Sequence, residues 1–414
     1  MYNEENQEYG MKKKTNRRNT LMFLLLLGIV SMLSDFTHEG ARSIYGPFLA
    51  IIGGSAVVVA FSSGLGEFIG QALRIATGII ADKTKKYWTM MILGYAINLL
   101  AIPMLALVGD NGWMLAVGLI LLERIGKSIR APAKSTLTSF AGSELGTGKA
   151  FAINEALDQI GAFLGPFLVF ILLSVRSASE PLDSYRLAFG LLGIVAVATL
   201  TVLVIAKMKY PHPESIELST KGQSMSIKNR IFWMYMAGIG LIAAGFIDYP
   251  IIAFHFGKTN AVPIEWIPLL YAGAMGVDAL SALFFGWLFD KKGLYSLVAA
   301  ISISMLFAPL LFLFSEIPLL IAGIVCWGIG MGAQESILKS VIASIVAKEK
   351  RATAYGVMNA MFGLCWFLGS LLVGVLYDVS INALVVFSVI MQLSSIPFMI
   401  IVQKQLEGLR KESV

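Results

Sequence analysis

Cysteine, histidine and charged residues are scarce in this chain of 414 residues. The two cysteines and three histidines are scattered, so neither a disulfide framework nor a metal site is expected. The sequence also lacks a phosphate-binding loop and a nucleophile elbow, which argues against an enzyme, and no cofactor is expected. Charged residues make up 14% of the chain and hydrophobic residues 57%, which excludes a soluble globular domain of ordinary composition.

Long hydrophobic stretches dominate the chain instead. About 20 apolar residues cross a bilayer as a helix. The sequence contains twelve such stretches, which predict an all-α polytopic membrane protein. Their approximate limits are 20–50, 54–81, 87–108, 112–138, 149–174, 185–207, 230–257, 262–289, 294–314, 317–346, 351–377 and 381–403.

A basic run at residues 12–18 precedes the first stretch and is compatible with a secretory signal. The stretch that follows is too long for a signal, and it contains Asp35, Glu39 and Arg42 without a small-residue cleavage site. The sequence therefore predicts an uncleaved first helix.

Positive charge is distributed unevenly over the loops. When alternate loops are assigned to the two sides, 22 of the 32 Lys and Arg residues fall on one side and three on the other, while seven lie within the stretches. This asymmetry predicts that the first side, with both termini, is cytoplasmic. The net charge of +6 therefore reflects topology, and a nucleic-acid partner is not expected.

A short charged turn closes the second stretch and has a counterpart in the second half of the chain. Residues 78–86 read GIIADKTKK, and residues 286–293 read GWLFDKKG after a shift of 208 positions (286 − 78). Gly165 likewise recurs as Gly369 after 204 positions (369 − 165). A repeat at half the chain length, with each copy between hydrophobic stretches, indicates two homologous bundles.

The repeat sets the expected domain limits. Six-helix bundles are predicted at 20–207 and 230–403, joined by a polar cytoplasmic linker at 208–229. Cytoplasmic tails are predicted at 1–19 and 404–414.

The charged turn resembles the signature loop of the major facilitator superfamily, Gly-x-x-x-Asp-(Arg/Lys)-x-Gly-(Arg/Lys). The second copy ends on the expected glycine, whereas the first has Lys85 in that place, so its turn must be made differently. The resemblance implies twelve helices in two pseudo-twofold-related bundles, with loops that latch the bundles on the cytoplasmic side during transport. The residues implied in the latch are Gly78, Asp82, Lys83, Lys86, Gly286, Asp290, Lys291 and Gly293.

Charge also sorts the stretches. The interiors of stretches three, six, nine, eleven and twelve contain no Asp, Glu, Lys or Arg, whereas the others do. A charge in hydrocarbon costs several kcal/mol, so charged helices must face protein or water. Every third helix is therefore expected to face lipid, as the resemblance also implies, and stretch eleven is an exception to the pattern.

The charges of the first half fall at helical spacings of three and four, which places those of stretch one along one stripe and most of those of stretch four along another. Two interpretations are open: a proton-coupling set that includes a cytoplasmic gate, or a fixed ladder of ion pairs that holds helix one to helix five. Arg124 loosely matches the fourth-helix arginine that the family associates with proton transfer. The residues are Asp35, His38, Glu39, Arg42, Glu67, Arg74, Glu123, Arg124, Lys127, Arg130, Lys134, Glu155 and Asp158.

The second half has an excess of acid. Asp248, Asp278 and Glu335 face one intramembrane cation, Lys339, so at least two carboxylates are expected to lack a partner. Burial favours the protonated form of such groups, and Asp248 and Glu335 are predicted as the proton-coupling pair. Glu335 follows Arg130 by 205 positions (335 − 130) and is expected to face it across a central cavity. In the alternative, each acid hydrogen-bonds a serine or carbonyl group and stays protonated.

These features predict a secondary active transporter that works by alternating access, as a monomer in a bacterial or archaeal plasma membrane. Proton-coupled export of a small organic or amphiphilic compound is favoured, because a Gly165-Pro166 pair resembles part of the fifth-helix motif of the family's exporters. The alternatives are proton-coupled uptake of an anionic metabolite and lipid translocation. A receptor or scaffold without transport is disfavoured by the short tails.

Overall fold

In the computed structural model, the structure describes residues 2–145, 147–175, 181–211, 230–345 and 351–412. Its described residues form fourteen α-helices and one short 3₁₀ helix, Leu105–Leu107. In chain order, α1 to α14 are Tyr2–Ile51, Ala56–Thr84, Tyr87–Met104, Trp113–Leu145, Thr147–Val175, Pro181–Lys209, Arg230–Gly245, Tyr249–Thr259, Trp266–Lys292, Tyr295–Ser304, Phe307–Phe312, Ile317–Ile345, Arg351–Val379 and Ile381–Glu412.

Fourteen helices make twelve spans because two spans are interrupted. Helices α7 and α8 together form span seven, and α10 and α11 together form span nine. Among the described residues, eleven spans are long and apolar enough to cross a membrane. The remaining long helix, α4, carries five charges within residues 123–134. The predicted all-α, multi-span fold class is confirmed for the part of the chain that the structure describes.

The first and last helices extend into the predicted tails. Helix α1 begins at Tyr2 and α14 continues to Glu412, so the backbone of the predicted tails 1–19 and 404–414 is helical wherever it is described. Most of the predicted linker, residues 212–229, lies outside the described residues.

The break in span seven has a clear local cause. Residues 246–248 leave the helix, and Asp248 takes an extended conformation with φ −71° and ψ 149°. The backbone N–H of Tyr249 donates to Asp248 Oδ1 at 2.9 Å, which caps the start of α8. Pro250 occupies the first turn of α8, where its missing N–H costs least.

Helices α1 to α6 pack on one another, and helices α7 to α14 form a second group. Equivalent glycines make equivalent contacts in the two groups. A Cβ at Gly165 of α5 would overlap the carbonyl oxygen of Phe36 on α1, and a Cβ at Gly369 of α13 would overlap that of Ala244 on α7. Spans five and eleven therefore approach spans one and seven in the same way, as a duplicated chain requires.

The main contacts between the two groups are made by three helix pairs: α1 with α8, α2 with α13, and α5 with α9. Small residues allow close approach at two of these contacts. A Cβ at Gly46 of α1 would overlap the carbonyl oxygen of Pro250 on α8, and one at Gly374 of α13 would lie 2.6 Å from the Cβ of Ala60 on α2. Both contacts lie near the end of the molecule opposite the start of α1.

Spans three, six, nine and twelve lie away from the central cavities. Two adjoining central cavities between the groups are lined by residues of α1, α2, α4, α5, α9, α12 and α13, and by no described residue of α3, α6, α10, α11 or α14. Helices α6 and α14 instead expose branched side chains, including Ile194 and Ile390. Every third span therefore lines neither of these two cavities, and that these spans face lipid stays a prediction.

In the two signature loops, different residues with positive φ end the preceding helix. Lys85 ends α2 in the left-handed conformation at φ 54°, with its N–H donating to the carbonyl oxygen of Ala81 at 2.8 Å. Gly293 ends α9 at φ 60° and ψ −142°, and its N–H donates to Phe289 in the same way. In the first loop, a lysine therefore adopts a backbone conformation in which glycine is usually favoured.

The conformation of Lys85 leads to a stability prediction. Lys85→Gly should raise the free energy of unfolding by about 1 kcal/mol, because a side chain in the left-handed region is strained. Thermal unfolding of the purified protein, followed by circular dichroism, measures the change. Lys83→Gly is the matched control and should lower stability by about 1 kcal/mol, because it places glycine inside a helix. A lower unfolding midpoint for Lys85→Gly would contradict the assignment of strain to this residue.

Candidate functional site

A buried ion pair connects the two groups of helices. Arg42 Nη2 of α1 donates to Asp248 Oδ1 at the start of α8, at 2.5 Å. Ser63 of α2 donates to the other carboxylate oxygen of Asp248. Asp248 is buried, and its carboxylate is held by three donors from three segments, so the interrupted span seven places it where α1, α2 and α8 meet.

A second contact between the groups lies beside this pair. Tyr271 of α9 donates its hydroxyl proton to Glu39 Oε2 at 2.6 Å, and Arg42 Nη1 lies 3.4 Å from the same oxygen. The ring of Tyr271 packs on that of Tyr249 with centroids 4.2 Å apart. Trp327 supports this layer by donating from Nε1 to the carbonyl oxygen of Ile247 at 2.8 Å.

The remaining charges of α1 pair with α4. His38 Nδ1 lies 2.9 Å from Glu123 Oε1, and Asn98 of α3 donates to the same carboxylate. Arg130 Nη2 lies 3.6 Å from Asp35 Oδ1. Among the described residues, the ion pairs of helix one therefore join it to helix four and to the second half. The ladder interpretation had them join it to helix five.

The side chain of Arg130 does not point into the cavity as expected but contacts Tyr95 of α3. Its guanidinium lies over the ring of Tyr95 at 4.3 Å and donates to the Tyr95 hydroxyl at 3.1 Å, on the α3 side of α4. Glu335 lines both cavities described below, whereas Arg130 lines neither. The expectation that Glu335 and Arg130 face each other across a central cavity is therefore wrong, because a register match between halves does not fix side-chain direction.

Two further pairs hold the first half together. Lys134 of α4 donates to Asp158 Oδ2 of α5 at 2.8 Å and also contacts Ser31. Arg124 Nη1 lies 3.5 Å from Glu67 Oε2 on α2.

The larger of the two adjoining central cavities has a volume of about 260 Å³, just below the range of about 300–1,000 Å³ typical of small-molecule sites. Its first-half wall is charged, whereas its second-half wall is mostly apolar. The lining residues are Glu39, Arg42, Glu67, Gln71, Arg74, Arg124, Lys127, Met331, Gln334, Glu335, Leu338, Met358, Asn359, Phe362 and Trp366.

A smaller cavity of about 140 Å³ adjoins it and is rich in acid. It shares five residues with the larger one, among them Lys127 and Glu335. Asp278 is buried here, and its Oδ1 has no hydrogen-bond partner among the described residues. The lining residues are Asp35, Glu39, Arg42, Lys127, Glu155, Asp158, Gln159, Ala162, Met275, Asp278, Met331 and Glu335.

The signature loops lie at the end of the molecule that carries the start of α1. Gly78 faces Pro132 of α4, and Gly286 faces Ser336 of α12, so each glycine borders a helix of its own group. In the second loop, the N–H of Leu294 donates to Gln403 Oε1 of α14 at 2.8 Å. Lys83, Lys86, Asp290 and Lys291 are exposed, and the side chains of Asp82 and Lys339 lie outside the described residues.

Sequence reasoning missed part of the site. Asp248 was expected to lack a cation because charges were balanced within each half, yet its partner Arg42 comes from the other half. Ser63 and Tyr271 were not singled out, because an isolated hydroxyl on an apolar helix carries no signal of its own. Asp278 was noted as an acid without a cation but not placed in the coupling pair.

Comparison with known proteins fits this architecture. Residues 231–412 match the family model described as Major Facilitator Superfamily. A protein of Mycobacterium tuberculosis (strain ATCC 25618 / H37Rv), named only as uncharacterized, is 35% identical over 385 residues, which cover 91% of this chain and 92% of that protein. An uncharacterized MFS-type transporter of Methanocaldococcus jannaschii is 25% identical over 382 residues, covering 89% and 92%.

The chain belongs to the major facilitator superfamily. A solved structure supports the fold of this transporter: a bacterial homologue of the human lysosomal transporter Spinster, inward-facing and unoccupied, aligns with a TM-score of 0.70. That alignment covers 94% of this chain and 96% of the other at 15% identity, so it shows the fold alone. The multi-pass membrane character of the transporter follows from the family and from its apolar helices.

The Arg42–Asp248 pair predicts a non-additive effect on stability. Arg42→Gln and Asp248→Asn should each lower the midpoint of thermal unfolding, because each breaks a buried ion pair, at a cost of up to about 3–5 kcal/mol; Arg42 keeps Glu39 as a partner in Asp248→Asn. The double variant should lose less than the sum of the two single losses. The control pair is Arg186→Gln with Asp183→Asn, an exposed pair at 3.2 Å whose loss should be small and additive. Additive losses at Arg42 and Asp248 would show that the pair contributes no coupling.

Proposed function

We propose that this transporter exports a small organic or amphiphilic compound in exchange for protons. In this proposal the two helix groups rock about the cavities and open them alternately to the two sides of the membrane. The observation that carries the proposal is the buried contact between Arg42 and Asp248, which crosses from one group to the other.

Charge at Asp248 decides how strongly the groups hold together. The carboxylate receives bonds from Arg42 and Ser63, both in the first group. A proton on Asp248 removes the charge attraction, which is large where water is excluded. Proton binding at this residue would therefore favour separation of α1 and α8, and proton release would favour their contact.

The smaller cavity contains further carboxylates, and Arg42 lines it as well. Glu155 of α5, Asp278 of α9 and Glu335 of α12 line it, and these helices belong to both groups. Carboxylates that share a small cavity repel one another when ionised, and a bound proton relieves the repulsion. Lys127 and Glu335 also line the larger cavity, so protonation of Glu335 changes the charge of both cavities.

Uptake of an anionic metabolite is a second candidate, favoured by one observation. Arg74 and Lys127 line the larger cavity, and neither has a carboxylate oxygen within 4 Å among the described residues. Export is preferred in the proposal because of the exporter-like Gly165-Pro166 pair, although Gly165 also serves close packing on α1.

Reconstitution into liposomes with an imposed pH gradient tests the function. Labelled amphiphilic compounds should be driven across the bilayer by the gradient, and their movement should be accompanied by proton flux in the opposite direction. The two directions of the gradient separate export from uptake, since antiport and symport respond to it with opposite sign. Solute movement that ignores the pH gradient would contradict proton coupling.

Two substitutions sharpen this prediction. Asp248→Asn and Glu335→Gln should each abolish gradient-driven accumulation while leaving solute exchange without a gradient, because the site remains but the proton cannot be carried. Glu316→Gln is the matched control, since Glu316 is exposed and lies outside both cavities. Normal accumulation by both variants would show that the protons travel on other residues.

A further inference from the structure

We infer that the larger cavity binds an amphipathic organic anion, with its acidic group against Arg74 and Lys127 and its apolar part against the aromatic and methionine wall of α12 and α13. This inference names a substrate class for the site and rests on the proposed transport function.

Two of the four cations that line the first-half wall have no carboxylate close by among the described residues. Arg42 and Arg124 are each committed to two carboxylates within about 3.5 Å. Glu67, the partner of Arg124, also accepts a hydrogen bond from Gln71. Once these pairs are set aside, Arg74 and Lys127 remain as cations of this wall without a carboxylate within 4 Å in the described part of the chain.

Two buried hydrogen-bond donors without acceptors also favour a ligand that carries acceptor oxygens. Arg74 Nε is buried and has no hydrogen-bond partner among the described residues. The indole nitrogen of Trp366 on α13 shares this property, and the residue is only 3% exposed. Because a buried donor without an acceptor costs free energy, a ligand rich in acceptor oxygens is the kind of molecule that would satisfy this cavity.

The second-half wall suits an apolar group. Trp366 packs against Phe362 and Phe246 with ring centroids 5.4 and 5.5 Å apart, which leaves an aromatic surface on the cavity. Met331, Leu338 and Met358 continue this surface. Aromatic rings and methionines bind apolar groups of varied shape.

Glu335 determines how the ligand is oriented. It is the carboxylate of the second-half wall among the residues that line the larger cavity. Its charge repels an acidic group at that wall, so the acidic end of a ligand is directed across the cavity to the first half. An amphipathic cation is disfavoured there because Arg74 and Lys127 repel it.

Binding of matched probes to the full chain in lipid nanodiscs tests the inference. The probes are 4-phenylbutyrate, 4-phenylbutan-1-ol, 4-phenylbutylamine and butyrate, measured by isothermal titration at neutral pH with empty nanodiscs as the blank. 4-Phenylbutyrate should bind at least about tenfold more tightly than the alcohol, the amine or butyrate, because one charge-assisted contact accounts for that ratio. Equal or tighter binding of the alcohol or amine, or no binding of 4-phenylbutyrate at millimolar concentration, overturns the inference.

Variants locate the two ends of the ligand. Arg74→Gln and Lys127→Gln should reduce the preference for 4-phenylbutyrate over the alcohol, whereas Trp366→Leu should reduce its preference over butyrate. Arg186→Gln removes a half-buried cation outside the cavity and should leave both ratios unchanged. A ratio of two affinities measured on one protein sample is insensitive to partial loss of folded material. Unchanged affinity ratios in the cavity variants would therefore overturn the placement of the two ends of the ligand.

This binding test is separate from the test of proton coupling. It is carried out at equilibrium without a gradient, so selective binding of the anion with no coupled proton flux would refute the proposed function alone. Coupled flux of compounds with no preference for the anion would refute the inference alone.

Discussion

Neutralisation of buried charge is the constraint on which this structure depends. A charge in hydrocarbon is costly, and the chain buries several arginines and carboxylates in its spans. Most of the first-half charges are satisfied within their own half, through the contacts of α1, α2 and α5 with α4. The contact between Arg42 and Asp248 is different, because it satisfies two buried charges only while the two halves are together.

The arrangement of the outer helices follows from the same constraint. Spans that carry no charge have no need of water or of partner charges, and they surround the others. This is why the sequence alone placed spans three, six, nine and twelve away from the cavities. Span eleven shows the limit of the rule: it is uncharged, yet α13 contributes Asn359, Phe362 and Trp366 to the larger cavity. An apolar helix is suited to lipid and equally to an apolar ligand wall.

The duplication was also readable from sequence, because signature loops and glycines recur at half the chain length. The contacts of Gly165 and Gly369 show that the repeat extends to packing. Pairing between side chains was much less predictable. Arg42 and Asp248 are 206 positions apart, and Arg130 turns toward Tyr95 and not toward the cavity. Which way a long side chain turns depends on neighbours from other helices, and hydropathy or spacing does not encode them.

The position of Asp248 at the first turn of α8 has a mechanical consequence. Its carboxylate both caps this helix and holds the guanidinium of Arg42. Loss of its charge weakens attraction to the positive end of the α8 backbone as well as to Arg42. Asp248 therefore belongs both to the N-terminal cap of α8 and to the contact between the halves, so that any change at this one side chain affects the interrupted span and the interface together.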